Sequence, residues 1–447
     1  MMEQWTLREM VTRVRSGEVS AGELMQAHLR RIEEVNPRVN AFVEVRAEEA
    51  LAAAVDAGDG PLAGVPVTVK DSFDVRGWAT RCGCVGRVGH VADDDAGAVA
   101  RLRAAGAIVL GKTNVPELVS SYETDNFLTG RTVNPFDEAL TPGGSSGGEA
   151  AAIASYCSAG GVGSDGGGSI RVPAHFCGIA GFKPTHRRIS GYGQYPATSG
   201  PYALMATPGP MARTVGDVEL LFSVMQGVDA RDSLSVGSGG AGWNEKPRIG
   251  VMRQFYKVPV DAAIAAAVDR AAGLLRDLGY EVEEYVPQGL ERAPNQWGFF
   301  FGEVGGMLTR ELLAGRETEA HWTITENLRK DAVAVEGRAL LAAYAERERL
   351  RCLALEQMER FPVLLMPPCS IPAFEHRQRR FAVGEQSIGL FAAMALSTTW
   401  NVLGFPALVV PFGRTDAGLP VGVQLVGRPF EDERVLRTGV ELEEARG

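Results

Sequence analysis

A glycine-rich stretch at residues 143–181 constrains the fold of this chain more than any other part of the sequence. It holds twelve glycines in 39 residues, whereas glycine accounts for 54 of the 447 residues overall. Each glycine in a regular element costs backbone entropy, so this density needs a structural reason. The stretch predicts a backbone that adopts unusual dihedral angles or that approaches a ligand closely.

The composition is that of an ordinary globular protein. Hydrophobic residues make up 45% and charged residues 22% of the chain, so intrinsic disorder is not expected. The net charge of −10 and the scattered basic residues argue against direct binding of nucleic acid, which needs a basic surface. Cys82 and Cys84 form a lone C-x-C pair among six cysteines. We therefore predict reduced thiols in a cytoplasmic protein, with neither a disulfide framework nor a metal site.

Association with a membrane is not expected either. The N-terminus has neither the basic start nor the apolar core of a signal peptide. Residues 386–412 carry no charge, but Pro406, Pro411 and several polar residues interrupt them. A helix that spans a bilayer needs about 20 mostly apolar residues. We interpret this segment as buried core.

Alternating helical and extended patterns predict an α/β protein with a mostly parallel sheet. Capping boxes at Thr6 and Ser20 each predict an N-terminal helix, and the second helix should end before Pro37. Further helices are predicted at residues 95–105 and 261–278. Strands are predicted at residues 65–69, 107–110 and 280–282. Residues 229–243 are the best candidate for a flexible surface connection.

Three short patterns match known motifs but lack the context that those motifs need. Residues 106–113 fit a phosphate loop, yet the positions that should form the loop read Ala-Ile-Val-Leu and predict a buried strand. Residues 161–166 fit G-x-G-x-x-G, but no acidic residue follows about 20 positions later. Residues 143–147 fit the nucleophile elbow G-x-S-x-G, but Thr141-Pro142 is a poor strand end and nothing marks a downstream histidine as its base.

Lys70, Ser145 and Ser169 together fit a hydrolytic mechanism. Lys70 ends a predicted strand, and the two serines lie in separate glycine-rich loops. A buried lysine can become neutral and act as a base, and a second serine can relay the proton of a serine nucleophile. The glycine N–H groups before Ser169 could bind an oxyanion. On this chemistry alone, ordinary Gly-Ser turns remain an alternative.

The segment 143–184 resembles the signature of the amidase-signature family. Further stretches similar to family motifs are residues 64–71, 111–114, 207–214, 404–407 and 418–424. The resemblance implies one α/β domain with a large, twisted, mostly mixed sheet and helices on both faces. Its implied parts are N-terminal helices (1–60), a signature core (61–225), a variable specificity region (230–400) and a return to the core (401–447).

The resemblance also implies roles for individual residues. Lys70 matches the family's base, Ser169 its nucleophile, and Ser145 its bridging serine, which in the family follows a cis peptide bond. The N–H groups that match the family's oxyanion hole are those of Gly166, Gly167, Gly168 and Ser169. Asp165 and Arg171 match a charged pair that supports the nucleophile loop, for which an ordinary surface ion pair is the alternative.

Two positions depart from the family pattern. Gly166 stands where the family usually has a larger residue, which predicts a looser oxyanion loop or open space beside it. The run after Lys183-Pro184-Thr185 continues with His186 and Arg187, where the family usually has a glycine. The turn at that point therefore does not follow from the resemblance.

The reaction implied is hydrolysis of a small-molecule carboxylic amide to an acid and ammonia or an amine, through an acyl-enzyme on Ser169 and without a metal or organic cofactor. We favour a stand-alone amidase, because Glu149 follows Ser-Ser-Gly-Gly where the A subunit of glutamyl-tRNA amidotransferase typically has a small residue. That A subunit is the first alternative, and a catalytically inactive binding protein on the same fold is the second. A homodimer is compatible with each hypothesis.

Aromatic side chains of the variable region could line an acyl pocket, although core packing is the simpler explanation for most of them. These are Phe255, Tyr256, Trp297, Phe299, Phe300, Phe301, Trp322 and Phe391. If Lys70 were not the base, His175 and His186 would be the next candidates, since they are nearest to Ser169 in sequence.

Overall fold

The β-strands that build the core come from the whole length of the chain. The computed structural model describes residues 1–197, 203–237, 245–326 and 334–447. Its strands are β1 (Phe42–Val45), β2 (Pro66–Lys70), β3 (Ile108–Thr113), β4 (Gly160–Asp165), β5 (Ala180–Lys183), β6 (Thr207–Ala212), β7 (Ile249–Val251), β8 (Val282–Glu284), β9 (Val363–Met366), β10 (Arg380–Val383), β11 (Gln386–Gly389), β12 (Ala407–Arg414) and β13 (Pro420–Gly427). Eleven of them form one sheet, and β10 pairs with β11 in a separate hairpin.

Helices connect these strands and cover the sheet. They are α1 (Leu7–Arg15), α2 (Ala21–Val39), α3 (Ala47–Val55), α4 (Gly97–Ala104), α5 (Gly147–Ala154), α6 (Arg171–Cys177), α7 (Val215–Met225), α8 (Ala262–Asp277), α9 (Ala293–Gly298), α10 (Gly305–Leu313), α11 (Trp322–Thr325), α12 (Gly337–Arg360), α13 (Leu390–Ala393), α14 (Ala395–Leu403) and α15 (Asp432–Arg446). A π-helical segment, Phe299–Val304, joins α9 to α10.

The large sheet is mixed. Its strand order is β1-β3-β2-β4-β6-β5-β12-β13-β9-β7-β8. Parallel pairing joins β3 to β2, β2 to β4, β9 to β7 and β7 to β8. The remaining neighbours pair antiparallel. The prediction of a mostly parallel sheet, made from the alternation of helices and strands, is therefore wrong, because consecutive pairs such as β5–β6 and β12–β13 run antiparallel. The mixed single-domain sheet implied by the family resemblance is confirmed.

Helices cover both faces of the sheet. Successive side chains of a strand point to opposite faces, and β12 shows the consequence. Leu408 and Val410 belong to a core cluster with α1, α4, α7, α8 and α15, whereas Val409 packs with α5 and α6. The helices α2, α3, α9, α12 and α14 bury their apolar sides in two further clusters. The site described below lies on the α5–α6 side.

The N-terminal predictions are confirmed except at one helix end. Thr6 and Ser20 each form the predicted capping box. The second helix, α2, continues past Pro37 to Val39 instead of ending before the proline. Val35 and Val39 are buried there, so tertiary packing outweighs the hydrogen bond that proline removes. Asn40 then ends the helix in the left-handed conformation.

The uncharged segment 386–412 is mostly buried, as predicted: it forms β11, α13, α14 and much of β12, and every residue of α14 is buried. Across the described ranges, no helix has the length and apolar character to span a bilayer. All six cysteines are free thiols. Of the predicted surface connection 229–243, residues 238–243 lie outside the described part of the chain.

Candidate active site

Two neighbouring strands deliver Lys70 and Ser164 to the same place. β2 and β4 pair in parallel, with Val69 opposite Val162, so the carboxyl ends of both strands lie together. Lys70 is the last residue of β2, and Ser164 is the last but one of β4. The carboxyl ends of strands in open α/β sheets are where such proteins bind ligands.

The Lys70 ammonium group is surrounded by hydroxyl groups. Its Nζ lies 2.8 Å from Ser145 Oγ, 2.9 Å from Ser146 Oγ and 2.9 Å from Ser164 Oγ. Ser146 donates its own proton to the Ser164 carbonyl. A neutral amine has two N–H donors and one lone pair. If the two N–H groups bond to Ser146 and Ser164, the lone pair is left for the Ser145 hydroxyl proton.

Burial explains how Lys70 can be neutral near physiological pH. The side chain is fully buried, and no carboxylate of the described residues lies within ion-pair distance of it. Burial lowers the pKa of Lys70 to about 7, although the negative charges of Asp165 and Glu149 pull it back upward. Desolvation disfavours the charged form of a lysine. Lys70 therefore has the properties of a general base.

Ser145 and Ser169 each lie two residues before a helix, α5 and α6, respectively. The Gly144–Ser145 peptide bond is cis, in agreement with the family resemblance. Ser146 N–H donates to the Ser169 carbonyl at 3.1 Å and so ties the two loops together. Ser169 lines a pocket, and its hydroxyl makes no hydrogen bond with any described residue. The half of the relay between Lys70 and Ser145 is thus in place, and the contact from Ser145 to Ser169 remains a prediction.

Three N–H groups of the loop before α6 are available to an oxyanion. Those of Gly166, Gly167 and Ser169 have no acceptor in the described ranges. The N–H of Gly168 was also expected to serve the oxyanion hole, but it donates to Asp165 Oδ1 at 2.7 Å instead. Gly167 and Ser169 line the same pocket. Two free amides thus belong to residues at the pocket, as an oxyanion site requires, and their role as its donors stays a prediction.

Asp165 and Arg171 form a buried pair, not a surface one. Both side chains are fully buried, with Arg171 Nε 3.0 Å from Asp165 Oδ2. Burial raises the pKa of Asp165, but the charge and hydrogen bonds of Arg171 outweigh it and hold that pKa well below its usual range. Arg171 also donates to Gln424 Oε1 at 2.7 Å and to Asn401. The network fixes both ends of the nucleophile loop to α14 and β13.

Close packing and special dihedral angles both account for the glycine-rich stretch. A Cβ atom at Gly161 would lie 2.1 Å from the Thr68 carbonyl, and Gly168 has φ +116°. Around Gly166, by contrast, a Cβ would meet nothing within 4 Å, so the open space expected there is present. At the second departure from the family pattern, Arg187 takes φ +72°, a left-handed conformation that glycine adopts more readily.

The competing motifs turn out to be structural. Lys112 of the apparent phosphate loop lies on β3, fully buried, and pairs with Asp71 at 2.8 Å. His175 accepts a hydrogen bond from Gly422 N–H at 2.8 Å, and burial lowers its pKa to about 4. Burial also holds the pKa of His186 well below its usual value. Neither histidine contacts the serines, so neither replaces Lys70 as a candidate base.

The pocket in front of Ser169 has an aromatic wall and a charged side. Trp297, Phe301 and Phe391 form the wall, and the ion pair of Arg379 with Glu326 also lines the pocket. Of the eight aromatic residues considered from the sequence, six line this pocket or the cavity behind it: Phe255, Tyr256, Trp297, Phe299, Phe301 and Phe391. Phe300 is a buried core residue, and Trp322 stacks beneath Arg377 and Arg379. Core packing still accounts for most of the eight, as expected, since six belong to one core cluster or pack against it: Phe255, Tyr256, Trp297, Phe299, Phe300 and Phe301.

Several residues of the site were not found from the sequence. Ser146 and Ser164 hold Lys70, and Tyr122 donates its hydroxyl proton to the Gly167 carbonyl at 2.7 Å. The sequence did hold a local signal for Ser146, because it is the second serine of the Ser-Ser pair. Nothing local marked Tyr122 or Asn401, because their roles depend on contacts with residues more than 40 positions away.

The chain is similar to known proteins along nearly its whole length. The family model described as Amidase matches residues 23–436. Two curated relatives are A subunits of glutamyl-tRNA(Gln) amidotransferase. That of Methylobacillus flagellatus is 32% identical over 97% of this chain and 95% of its own length. That of Deinococcus radiodurans is 34% identical over 98% and 96%, respectively.

Solved structures of enzymes with different substrates share the fold. A 6-aminohexanoate cyclic dimer hydrolase superposes with a TM-score of 0.89 at 30% identity, over 100% of this chain and 97% of that one. The A subunit of glutamyl-tRNA(Gln) amidotransferase from Thermotoga maritima gives 0.78 at 26% identity, over 99% and 95%. With the family match covering most of the sequence, these similarities establish that the chain belongs to the amidase-signature family.

Proposed function

We infer that the protein hydrolyses a carboxylic amide through an acyl-enzyme on Ser169. The observation that carries this conclusion is the buried Lys70 amine, 2.8 Å from Ser145 Oγ and without a carboxylate partner among the described residues. A lysine held in this way serves no structural ion pair. It is instead suited to accept a proton, and the nearest hydroxyl leads towards the loop of Ser169.

The reaction then proceeds in two halves. Neutral Lys70 takes the proton of Ser145, which takes that of Ser169, and Ser169 Oγ attacks the amide carbon. The N–H groups of Gly167 and Ser169 bind the resulting oxyanion. The proton returns through Ser145 to the leaving nitrogen, the C–N bond breaks, and ammonia or an amine departs. Water then attacks the ester on Ser169 by the same relay and releases the acid.

A second candidate is the glutaminase A subunit of a glutamyl-tRNA amidotransferase. Sequence comparison favours this alternative over a stand-alone amidase, since the two curated relatives described above are such subunits. The pocket also carries charged side chains of the kind that bind a free amino acid, Arg379 and Glu326, although these two are paired with each other and Arg379 also pairs with Glu123. Two observations favour a stand-alone enzyme: the higher TM-score with the cyclic dimer hydrolase and the aromatic wall beside Ser169.

Purified protein separates these candidates. The chain alone should hydrolyse members of a panel of aliphatic, aryl and amino-acid amides, and a fluorophosphonate probe should label Ser169. An A subunit would instead release ammonia from glutamine, with a large increase when the other amidotransferase subunits are added. If the probe fails to label the native protein and no amide is hydrolysed, the inactive binding protein is the correct alternative.

A further inference from the structure

A large apolar cavity opens directly behind the pocket of Ser169. It has a volume of about 1090 Å³. Three side chains line both spaces: Trp297, Phe301 and Phe391. The cavity and the pocket of Ser169 therefore adjoin at these three rings. A substrate group held in the cavity would pack on the same rings that line the pocket of Ser169.

The shared wall is a stack of flat rings. Trp297 and Phe301 are stacked with their centroids 4.7 Å apart and their planes 14° apart. Phe391 lies 6.2 Å from Trp297 and is tilted by 43°. Such rings bind aromatic or extended apolar groups through burial and stacking, whereas charged groups would be desolvated without a partner. The wall therefore favours an amide with a bulky apolar substituent.

Trp297 has a second contact, with the oxyanion loop. Its indole N–H donates to the Gly166 carbonyl at 2.7 Å. In a trans peptide the C=O and N–H groups point in opposite directions. A bond that holds the Gly166 carbonyl therefore also fixes the orientation of the Gly167 N–H, which points away from the indole, and Gly167 itself lines the pocket. The ring lies against the same glycine, since a Cβ at Gly167 would be 2.6 Å from its Cζ2 atom.

The next peptide of this loop, Gly167–Gly168, is held by residues of the signature core. Tyr122 holds the Gly167 carbonyl, and Asp165 holds the Gly168 N–H. Gly166 itself contributes no side chain, and the space beside it is open. Among the described residues, Trp297 from the variable region is the one that restrains the Gly166–Gly167 peptide by a hydrogen bond.

We propose that Trp297 is both the specificity-determining residue for bulky apolar amides and the positioning residue of the Gly167 oxyanion donor. This proposal rests on the proposed amide hydrolysis at Ser169. An apolar group bound in the cavity packs on the indole and keeps it in contact with the Gly166 carbonyl. Occupation of the cavity is thereby linked to the geometry of the oxyanion hole, so small amides react poorly even when they reach Ser169.

The test compares propionamide with 4-phenylbutyramide in the native enzyme and two variants. The native enzyme should prefer 4-phenylbutyramide in kcat/KM by about 100-fold, as expected for burial of a phenyl group. Trp297→Phe keeps a ring but loses the N–H. Its kcat should fall about tenfold on 4-phenylbutyramide and less on propionamide, and its affinity for a trifluoromethyl ketone that carries the phenylpropyl group and mimics the tetrahedral intermediate should also fall about tenfold. Phe301→Leu should mainly raise KM for 4-phenylbutyramide.

The outcomes distinguish the parts of the proposal. A native preference for propionamide would overturn the role of the cavity. An unchanged kcat and unchanged ketone affinity in Trp297→Phe would overturn the positioning role. Gly167→Ala, which displaces the indole without altering it, gives a second check and should lower the ketone affinity by at least as much as Trp297→Phe. If the native enzyme hydrolyses neither amide and is not labelled by the fluorophosphonate, the proposed function itself fails. Thermal melting of each variant separates these results from misfolding.

Discussion

The pH dependence of the rate tests the role of Lys70 most directly. The mechanism requires the neutral amine, and the pKa of Lys70 is about 7. The neutral fraction then rises from about one-tenth at pH 6 to about nine-tenths at pH 8. Because the rate follows this fraction, kcat/KM should increase by about tenfold over that range and then level off. An ordinary lysine would give no plateau below about pH 10.

Other buried groups that titrate near neutrality provide the controls. Burial raises the pKa of Glu149 to about 7 and lowers that of Lys183 to about 7. Glu149→Gln removes a negative charge that favours the charged form of Lys70, so the acidic limb should move to lower pH. Lys183 lies outside the proton relay, so Lys183→Met should leave the midpoint of the acidic limb unchanged. Lys70→Ala should remove the limb from any residual rate.

The assay is a series of kcat/KM measurements from pH 5 to pH 10 at constant ionic strength. Lys70→Arg gives a further check, because a guanidinium group stays protonated throughout and should restore no activity. An acidic limb that persists unchanged in Lys70→Ala would refute the mechanism. If the acidic limb disappears only in Lys183→Met, the group that titrates is Lys183 and not Lys70.

Four further substitutions test the loop and its support. Ser169→Ala should lower kcat by about 10⁴-fold to 10⁶-fold without lowering the melting temperature, and substantial remaining turnover would contradict its role as nucleophile. Gly167→Ala should lower kcat about 100-fold, because a shift of about 1 Å is needed to clear the indole. The matched control Gly166→Ala places its methyl group in open space and should keep the native kcat. Equal losses in the two variants would contradict this geometry. Asp165→Asn leaves the buried Arg171 without its counter-ion and should cost about 3–5 kcal/mol in urea unfolding; an unchanged unfolding midpoint would show that the pair is dispensable.

Local sequence was sufficient wherever the cause of a structure is itself local. The capping boxes at Thr6 and Ser20 predicted two helix starts because both partners of each box lie within one turn. The glycine-rich stretch predicted close approach and unusual dihedral angles, which occur at Gly161 and Gly168. Family resemblance added the mixed sheet and the candidate residues of the relay.

Tertiary structure decided the features that depend on distant partners or on burial. Helix α2 passes Pro37 because Val39 gains a buried position, which no local propensity reveals. The lowered pKa of Lys70 arises from desolvation by the completed fold. Trp297 meets the Gly166 carbonyl 131 positions earlier in the chain. The residue types that perform the chemistry are thus evident from the sequence, whereas their charge state and the restraint on the oxyanion loop exist only after packing excludes water and brings remote segments together.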